Sequence, residues 1–171
     1  VAETEDGKRY RYALAGGVTL APGKINVAAA HVANHVNKTV ATTTVAGAQS
    51  VNVDIGATAV TANQYQDGSL VVNDATGEGI LYAVRGHAAS AGSAELLINL
   101  TDPLETALTV DVSEVSLIAS PWSAIIVAPN ALAHRVVGVN NVSITNAFYG
   151  WVQTRGDCSV LSDGVITKGA G

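Results

Sequence analysis

Short segments of alternating apolar and polar residues recur along the chain and determine its predicted architecture. The clearest is Gln49–Ile55, in which V-N-V-D-I places every second side chain on one face of a strand. Comparable segments, separated by turn residues, follow at Ser69–Val72, Ile80–Arg85, Ala94–Leu100 and Glu114–Ala119. Strands at intervals of roughly 8–14 residues, without a long segment of helical period, predict an all-β fold. We expect a β-sandwich or β-barrel of many short antiparallel strands.

The stretch Val139–Gly164 contains the only Phe, one of the two Trp and the only Cys. Aromatic residues make up 5% of the chain, and a large ring buries far more area than the surrounding Ala and Val. We therefore expect Phe148, Tyr149 and Trp151 to anchor the hydrophobic core.

The N-terminal residues mix acidic and basic side chains and have almost no apolar content. This composition predicts a flexible N-terminal arm, placed at residues 1–15, followed by a single β domain at residues 16–171. The sequence Tyr10-Arg11-Tyr12 alternates as a short strand would, and such a strand could add to the sheet edge of a neighbouring molecule. Tyr10, Arg11 and Tyr12 are therefore candidate interface residues, with a frayed terminus as the alternative.

The segment Ile25–Asn37 fits either an irregular conformation or one short helix. It contains His31 and His35 in H-x-x-x-H spacing, which on a helix would place two imidazoles on one face. Metal sites of this type also use a Glu or another third ligand, and no carboxylate lies between Asp6 and Asp54. We expect histidines at the surface or at a subunit contact, and no metal site.

The overall composition limits the classes of partner. The net charge is −5 and the pI is about 5.2, whereas a nucleic-acid-binding protein would show a basic stripe, so no nucleic-acid partner is expected. The longest apolar region, Ser116–Val139, is interrupted by prolines and by charged and polar residues, so no membrane partner is expected. Charged residues make up only 13% of the chain, which suggests that part of its surface is covered by protein partners.

No motif predicts catalysis or a cofactor. The sequence lacks a G-x-S-x-G elbow, and the glycine-rich segment Asp74–Gly79 lacks both the ligand spacing of an EF-hand and the Lys of a phosphate-binding loop. Cys158 has Asp157 and Ser159 as neighbours, which provide no positive charge to activate a thiol. We expect a protein that is not an enzyme, with no catalytic, cofactor-binding or metal-binding residues.

Two segments resemble a group of tailed-bacteriophage head proteins that are described as virion structural or capsid decoration (cement) proteins. These segments are T-A-N-Q-Y-Q-D-G-S-L-V-V-N-D-A-T-G-E-G (Thr61–Gly79) and F-Y-G-W-V-Q-T-R-G-D-C-S-V-L-S-D-G (Phe148–Gly164). Leu96–Leu104 and Glu114–Trp122 resemble the group in the same order and spacing. The resembling motifs are fold motifs, so they imply a role but no functional residues.

The resemblance implies a location on the outer capsid surface of the virion. There the protein would bind the major capsid protein between capsomers as a symmetric homo-oligomer, with a trimer as the expected form. The major shell protein itself is a weaker alternative, because such chains are longer and have a long spine helix that this sequence does not predict.

A recognition module is a second functional class. A β-sandwich from a head fibre or a tail accessory would bind host glycan by stacking sugars on an exposed ring. Trp122, between Pro121 and Ser123 in a predicted loop, is the candidate ring. A ring buried in the core is the alternative for the same residue.

Overall fold

The computed structural model describes residues 1–129 and 134–161 and confirms the all-β fold. Its strands are β1 (Ala2–Glu3), β2 (Arg9–Leu14), β3 (Ile25–Val27), β4 (Lys38–Thr39), β5 (Ser50–Asp54), β6 (Ser69–Val72), β7 (Leu81–His87), β8 (Glu95–Leu100), β9 (Glu114–Ile118), β10 (Ile126–Val127), β11 (Val136–Val139) and β12 (Tyr149–Arg155). All pairings between these strands are antiparallel, and the helical structure in the described ranges is one turn of 3₁₀-helix at Ala33–His35. The chain divides into two compact units: unit 1 comprises residues 1–30 and 121–171, and unit 2 comprises residues 31–120.

Unit 1 contains a six-stranded sheet in the order β1-β2-β12-β11-β3-β10. A parallel bridge between Ala15 and Ile125 links the end of β2 to the start of β10. The core of this unit consists of small and branched side chains, because strands β2 and β12 turn their small residues inward. The main cluster of buried apolar residues consists of Ala13, Ala15, Leu20, Ile125, Val137, Ile144 and Val152.

Unit 2 contains the second six-stranded sheet, in the order β4-β9-β6-β7-β8-β5. An antiparallel bridge between Val40, just after β4, and Val53 of β5 joins the two edges, so the sheet is nearly closed into a barrel. The alternation predicted for Gln49–Ile55 is present, since Val51, Val53 and Ile55 are buried while Asn52 and Asp54 are only partly buried. This core also contains the buried ring of Tyr65.

Six turns share one geometry, in which a bridge residue is followed three positions later by a residue of positive φ. The bridges pair these turns as Leu20 with Ile144, Thr44 with Leu108, and Val60 with Ser90. The residues of positive φ are Gly23, Gly47, Asn63, Ser93, Asp111 and Ala147. Gly, Asn and Asp adopt this left-handed region at least cost, which explains four of the six positions. The turns therefore repeat one local structure with different residues.

The structure groups the chain differently from the expected arm at residues 1–15 and single domain at residues 16–171. Arg9–Leu14 forms strand β2, which lies between β1 and β12, and unit 1 joins the two ends of the chain. The backbone of β2 pairs with that of β12, a pairing that the composition of the N-terminal residues does not indicate. The mobility of the first residues in solution stays a prediction.

The ambiguous segment Ile25–Asn37 contains both strand and helical structure. Its first residues form β3, and its last residues include the 3₁₀ turn at Ala33–His35. The Asp163–Gly164 turn, at the end of the segment Phe148–Gly164, lies outside the described residues.

Candidate interaction surface

Three aromatic side chains form a row on the outer face of the β2–β12 ladder, and we call Tyr12, Tyr149 and Trp151 the aromatic row. Tyr12 lies directly opposite Trp151, and its ring stacks on Tyr149 with centroids 5.2 Å apart and an interplanar angle of 13°. The Tyr12 and Trp151 centroids are 5.1 Å apart, with the rings tilted by 54°. The relative exposures are 54% for Tyr12, 58% for Tyr149 and 46% for Trp151. Three large rings thus lie side by side on the surface.

The expectation that Phe148, Tyr149 and Trp151 anchor the core is wrong. Phe148 is 64% exposed, and the other two rings belong to the aromatic row. The reason lies in the alternation of β12, which turns Gly150 and Val152 toward the interior. A Cβ on Gly150 would lie 2.5 Å from Cγ1 of Ile144, so this small core has no space for a ring.

The structure separates the four predicted interface residues into two pairs. Tyr10 lies on the outer face with Tyr12, and its hydroxyl is 3.5 Å from Oε1 of Gln153 in the opposite strand. Arg11 instead places its guanidinium 5.1 Å from the centre of the Trp122 ring. Trp122 is half-buried and packs against the core of unit 1, so a cation–π contact covers one face of its ring.

A cavity of about 360 Å³ lies beside the aromatic row, with Tyr10 in its wall. Gln153 forms the floor and is held in place by neighbouring groups: Asn141 Nδ2 donates to its Oε1 at 3.0 Å, and its Nε2 donates to the carbonyl oxygen of Asp157 at 2.9 Å. Lys8 and the exposed Cys158 also line the cavity. Its polar wall can present amide, carboxylate and ammonium groups to a small ligand.

The charged residues next to the cavity form a local cluster near the N-terminus. Lys8 Nζ lies 2.5 Å from Oδ2 of Asp6, and Thr4 Oγ1 donates to Oδ1 of the same carboxylate. The hydrogen bonds from Lys8 and Thr4 lower the pKa of Asp6 to about 2. Thr4 and Asp6 are exposed and Lys8 is partly exposed, so the cluster is a surface feature.

A second polar cluster, around Tyr65, is buried in unit 2. His35 Nε2 lies 2.8 Å from the carbonyl oxygen of Thr58, which can only accept, so Nε2 donates and Nδ1 accepts from the Tyr65 hydroxyl at 2.5 Å. Burial raises the pKa of Tyr65 to about 12. The backbone N–H of Tyr65 donates to Nε2 of His87 at 3.0 Å. Each ring nitrogen of His35 has a partner, which favours a structural role.

The structure does not bring the two histidines of the H-x-x-x-H spacing together. His31 is exposed, whereas His35 points inward to Tyr65 and Thr58, since the 3₁₀ turn is too short to align the two rings. Among residues 1–129 and 134–161, no group of three His, Cys, Asp or Glu side chains could hold a metal ion. The Tyr65 cluster itself was not predicted, because its members are distant in sequence.

Comparisons with known proteins leave the family open. No family model, no curated protein and no solved structure matches the chain. No helix in the described part of the chain is long and apolar enough to cross a membrane.

Proposed function

We propose that the chain is a non-enzymatic virion structural protein that decorates and cements the outer surface of a tailed-phage capsid. It would bind the major capsid protein between capsomers as a symmetric oligomer, most simply a trimer. The observation that carries the proposal is the aromatic row, since Tyr12, Tyr149 and Trp151 are about half-exposed although each ring is largely apolar.

The composition of this surface supports a protein contact. Tyr and Trp are enriched at the centres of protein interfaces, where they supply most of the binding free energy. A contiguous apolar patch on the surface of a soluble protein often marks an interaction site. Together with the 13% content of charged residues, the aromatic row favours a chain that functions in an assembly.

The proposed mechanism is physical. Each contact with the shell is modest, but the same contact repeats over an icosahedral surface, and an oligomer engages several capsomers at once. Linking several contacts raises the apparent affinity by orders of magnitude without any new contact. Short strands closed by paired turns in each unit suit a protein whose task is to resist deformation.

Binding to expanded phage heads tests the proposal. Purified protein is mixed with expanded heads of the resembled phage group, and bound protein is measured after sedimentation. We expect saturable binding and a raised disruption temperature of the heads, with binding weakened at least 10-fold by Trp151→Ala. The control is Leu81→Ala, which truncates an exposed apolar residue in unit 2 (60%) and should bind as the wild type does. Absence of wild-type binding would contradict the proposal.

A glycan-recognition module is the second candidate, and one observation favours it. Tyr10, on the same outer face as Tyr12, lines the cavity together with Asn141 and Lys8, so a sugar stacked on the row could extend toward these polar groups. Trp151 is a better stacking ring than Trp122, because Arg11 already covers one face of Trp122. A glycan array should then show binding that Trp151→Ala abolishes and Trp122→Ala preserves. An array without signal would remove this candidate.

A further inference from the structure

The outer face of the β2–β12 ladder continues from the aromatic row into the cavity of unit 1. Tyr12 lies opposite Trp151, and Tyr10 lies opposite Gln153 two residues further along both strands. Tyr10 and Gln153 also line the cavity. Two residues of a strand span roughly 7 Å, so a partner bound on the row is close enough to reach the cavity with one long side chain.

The segment Asp157–Leu161 forms one wall of the cavity and is fixed at both ends. Gln153 Nε2 donates to the carbonyl oxygen of Asp157 at 2.9 Å, and the N–H of Leu161 donates to the carbonyl oxygen of Gly23 at 2.8 Å. A Cβ on Gly23 would lie 3.0 Å from Cγ of Leu161, so this leucine packs directly on the glycine. The volume of about 360 Å³ is at the lower end of the range of ligand pockets, roughly 300–1,000 Å³.

Among the described residues, two charged side chains line the cavity, and they differ in their partners. Lys8 Nζ lies 2.5 Å from Oδ2 of Asp6, and the hydrogen bond to this carboxylate raises the pKa of Lys8. Asp157 is exposed, and no basic group in residues 1–129 and 134–161 lies within 4.0 Å of its carboxylate. The wall therefore presents a carboxylate without an ionic partner beside an ammonium that already has one.

The uncharged lining groups suit the rest of a long basic side chain. Pro22, Leu161 and Tyr10 provide apolar surface, along which methylene groups can pack. The Ser159 hydroxyl and the Asn141 amide oxygen can accept hydrogen bonds, and an ammonium or a guanidinium donates several. The lining thus combines apolar contact with acceptors for a cationic head group.

These features favour a cation as the occupant. An anion would meet the unpaired carboxylate of Asp157, and the net charge of −5 of the whole chain also attracts basic partners. We propose that the cavity receives a basic side chain, lysine or arginine, from the protein that covers the aromatic row. Its methylene groups pack along Tyr10 and Leu161, and its charged head pairs with Asp157. This inference rests on the proposed function, in which that protein is the major capsid protein.

The reactivity of Cys158 reports whether the cavity is occupied. Cys158 is the only cysteine, is exposed and lines the cavity, so alkylation by iodoacetamide follows a single position. The probes are the methylamides of Nα-acetyl-lysine and Nα-acetyl-arginine, and the corresponding Nε-acetyl-lysine and citrulline derivatives are their neutral counterparts. At constant ionic strength, we expect a charged probe at saturation to slow alkylation several-fold and its neutral counterpart to leave the rate unchanged. Equal rates with charged and neutral probes would overturn the inference.

Asp157→Asn tests whether the carboxylate holds the probe. This substitution keeps the size of the side chain and removes its charge, so half-maximal protection of Cys158 should require about 5-fold more probe. Glu5→Gln is the matched control, because it removes the same charge from an exposed position outside the cavity wall, and it should leave the midpoint unchanged. Each variant is compared with its own rate without probe, since a substitution beside Cys158 also changes the thiol. The same midpoint for Asp157→Asn and the wild type would overturn the inference.

Sedimentation with expanded heads separates this inference from the proposed function. Asp157→Asn should bind heads about 5-fold more weakly than Glu5→Gln does. Equal binding by the two variants would overturn the assignment of the cavity to a partner side chain, even where free probes protect Cys158. Wild-type protein that does not bind heads, although charged probes protect Cys158, would overturn the decoration role and leave the cation site standing.

Discussion

The ring of Tyr12 stacks on the ring of Tyr149 across the β2–β12 ladder, with 5.2 Å between centroids, and both rings are more than half exposed. The two residues lie more than 130 positions apart in the sequence, so the surface that they form depends on the pairing of the two ends of the chain. This pairing also places Trp151 beside Tyr12. The proposed function depends on this arrangement.

Two adjacent substitutions in β12 test which face is buried. Trp151→Ala should lower the free energy of unfolding by about 1 kcal/mol, because its half-exposed ring lies outside the core and loses mainly the contact with Tyr12. Gly150→Val should cost about 3 kcal/mol, since its side chain would overlap Ile144 in the core. Urea unfolding measures both values. If Trp151→Ala were the more destabilising change, the assignment of faces in β12 would be wrong.

The hydrogen bond between Tyr65 and His35 should stabilise unit 2. Tyr65→Phe removes the donated proton and leaves Nδ1 of the buried His35 without a partner, which should cost about 1–3 kcal/mol in chemical unfolding. Tyr149→Phe is the matched control, because it removes the same hydroxyl group from an exposed ring and should change stability by less than about 0.5 kcal/mol. Equal effects of the two variants would show that the buried bond contributes nothing.

Tyr65 also makes the free energy of unfolding depend on pH in the alkaline range. The pKa of Tyr65 is raised from 10.0 to about 12, so the unfolded chain loses this proton before the folded chain does. Its contribution is therefore fully present below pH 10 and is lost as the pH rises toward 12. Phenolate absorbance of the wild type should contain a step near pH 12, and Tyr65→Phe should remove that step. The same step in both proteins would contradict this prediction.

The repeated turn geometry predicts opposite effects for one pair of substitutions. Ala147 has a φ of 62°, so Ala147→Gly should relieve backbone strain and stabilise the protein by about 0.5–1 kcal/mol. Gly47 occupies the equivalent position with a φ of 87°, and no atom lies within 4 Å of an added Cβ. Gly47→Ala should therefore destabilise by about 1 kcal/mol through backbone strain alone. Thermal unfolding measures both, and effects of the same sign would contradict the shared geometry.

The pKa of Asp6, measured at acidic pH, tests the cluster of Thr4, Asp6 and Lys8. Hydrogen bonds from Lys8 and Thr4 lower the pKa of Asp6 from 3.8 to about 2, so the contribution of this group is present above pH 3.8 and is lost as the pH falls toward 2. Carboxyl chemical shifts should give a midpoint near 2 for Asp6, and Lys8→Ala should raise it toward the ordinary value. An unchanged midpoint in that variant would show that Lys8 does not contact Asp6 in solution.

Local alternation predicted most of the strands but not which face of a strand is buried. Ser69–Val72 is a strand in both the sequence pattern and the structure, because its alternation and turn residues are local signals. For β12, the alternation defines two faces of the strand but does not show which of them is buried. The size of the rings suggested that the face with Tyr149 and Trp151 is buried, and this was wrong. The small core around Gly150 and Ile144 determines which face of β12 is buried. This core forms only when segments distant in the sequence have paired.

The candidate surface was predicted in part. Tyr10 and Tyr12 were selected from a local alternation, and they lie on one outer face. Their partners Tyr149 and Trp151 were placed in the core, since no signal in the sequence reports that β2 pairs with β12.

Acrylamide quenching of Trp151 fluorescence tests the central claim most directly. The chain has two tryptophans, so Trp122→Phe leaves Trp151 as the single reporter. In the free protein at low concentration, the half-exposed ring should be readily quenched. On expanded heads, where the aromatic row is covered, the quenching constant should fall several-fold. Protein that binds heads while Trp151 stays as accessible as in the free monomer would contradict the claim that the aromatic row is the assembly surface.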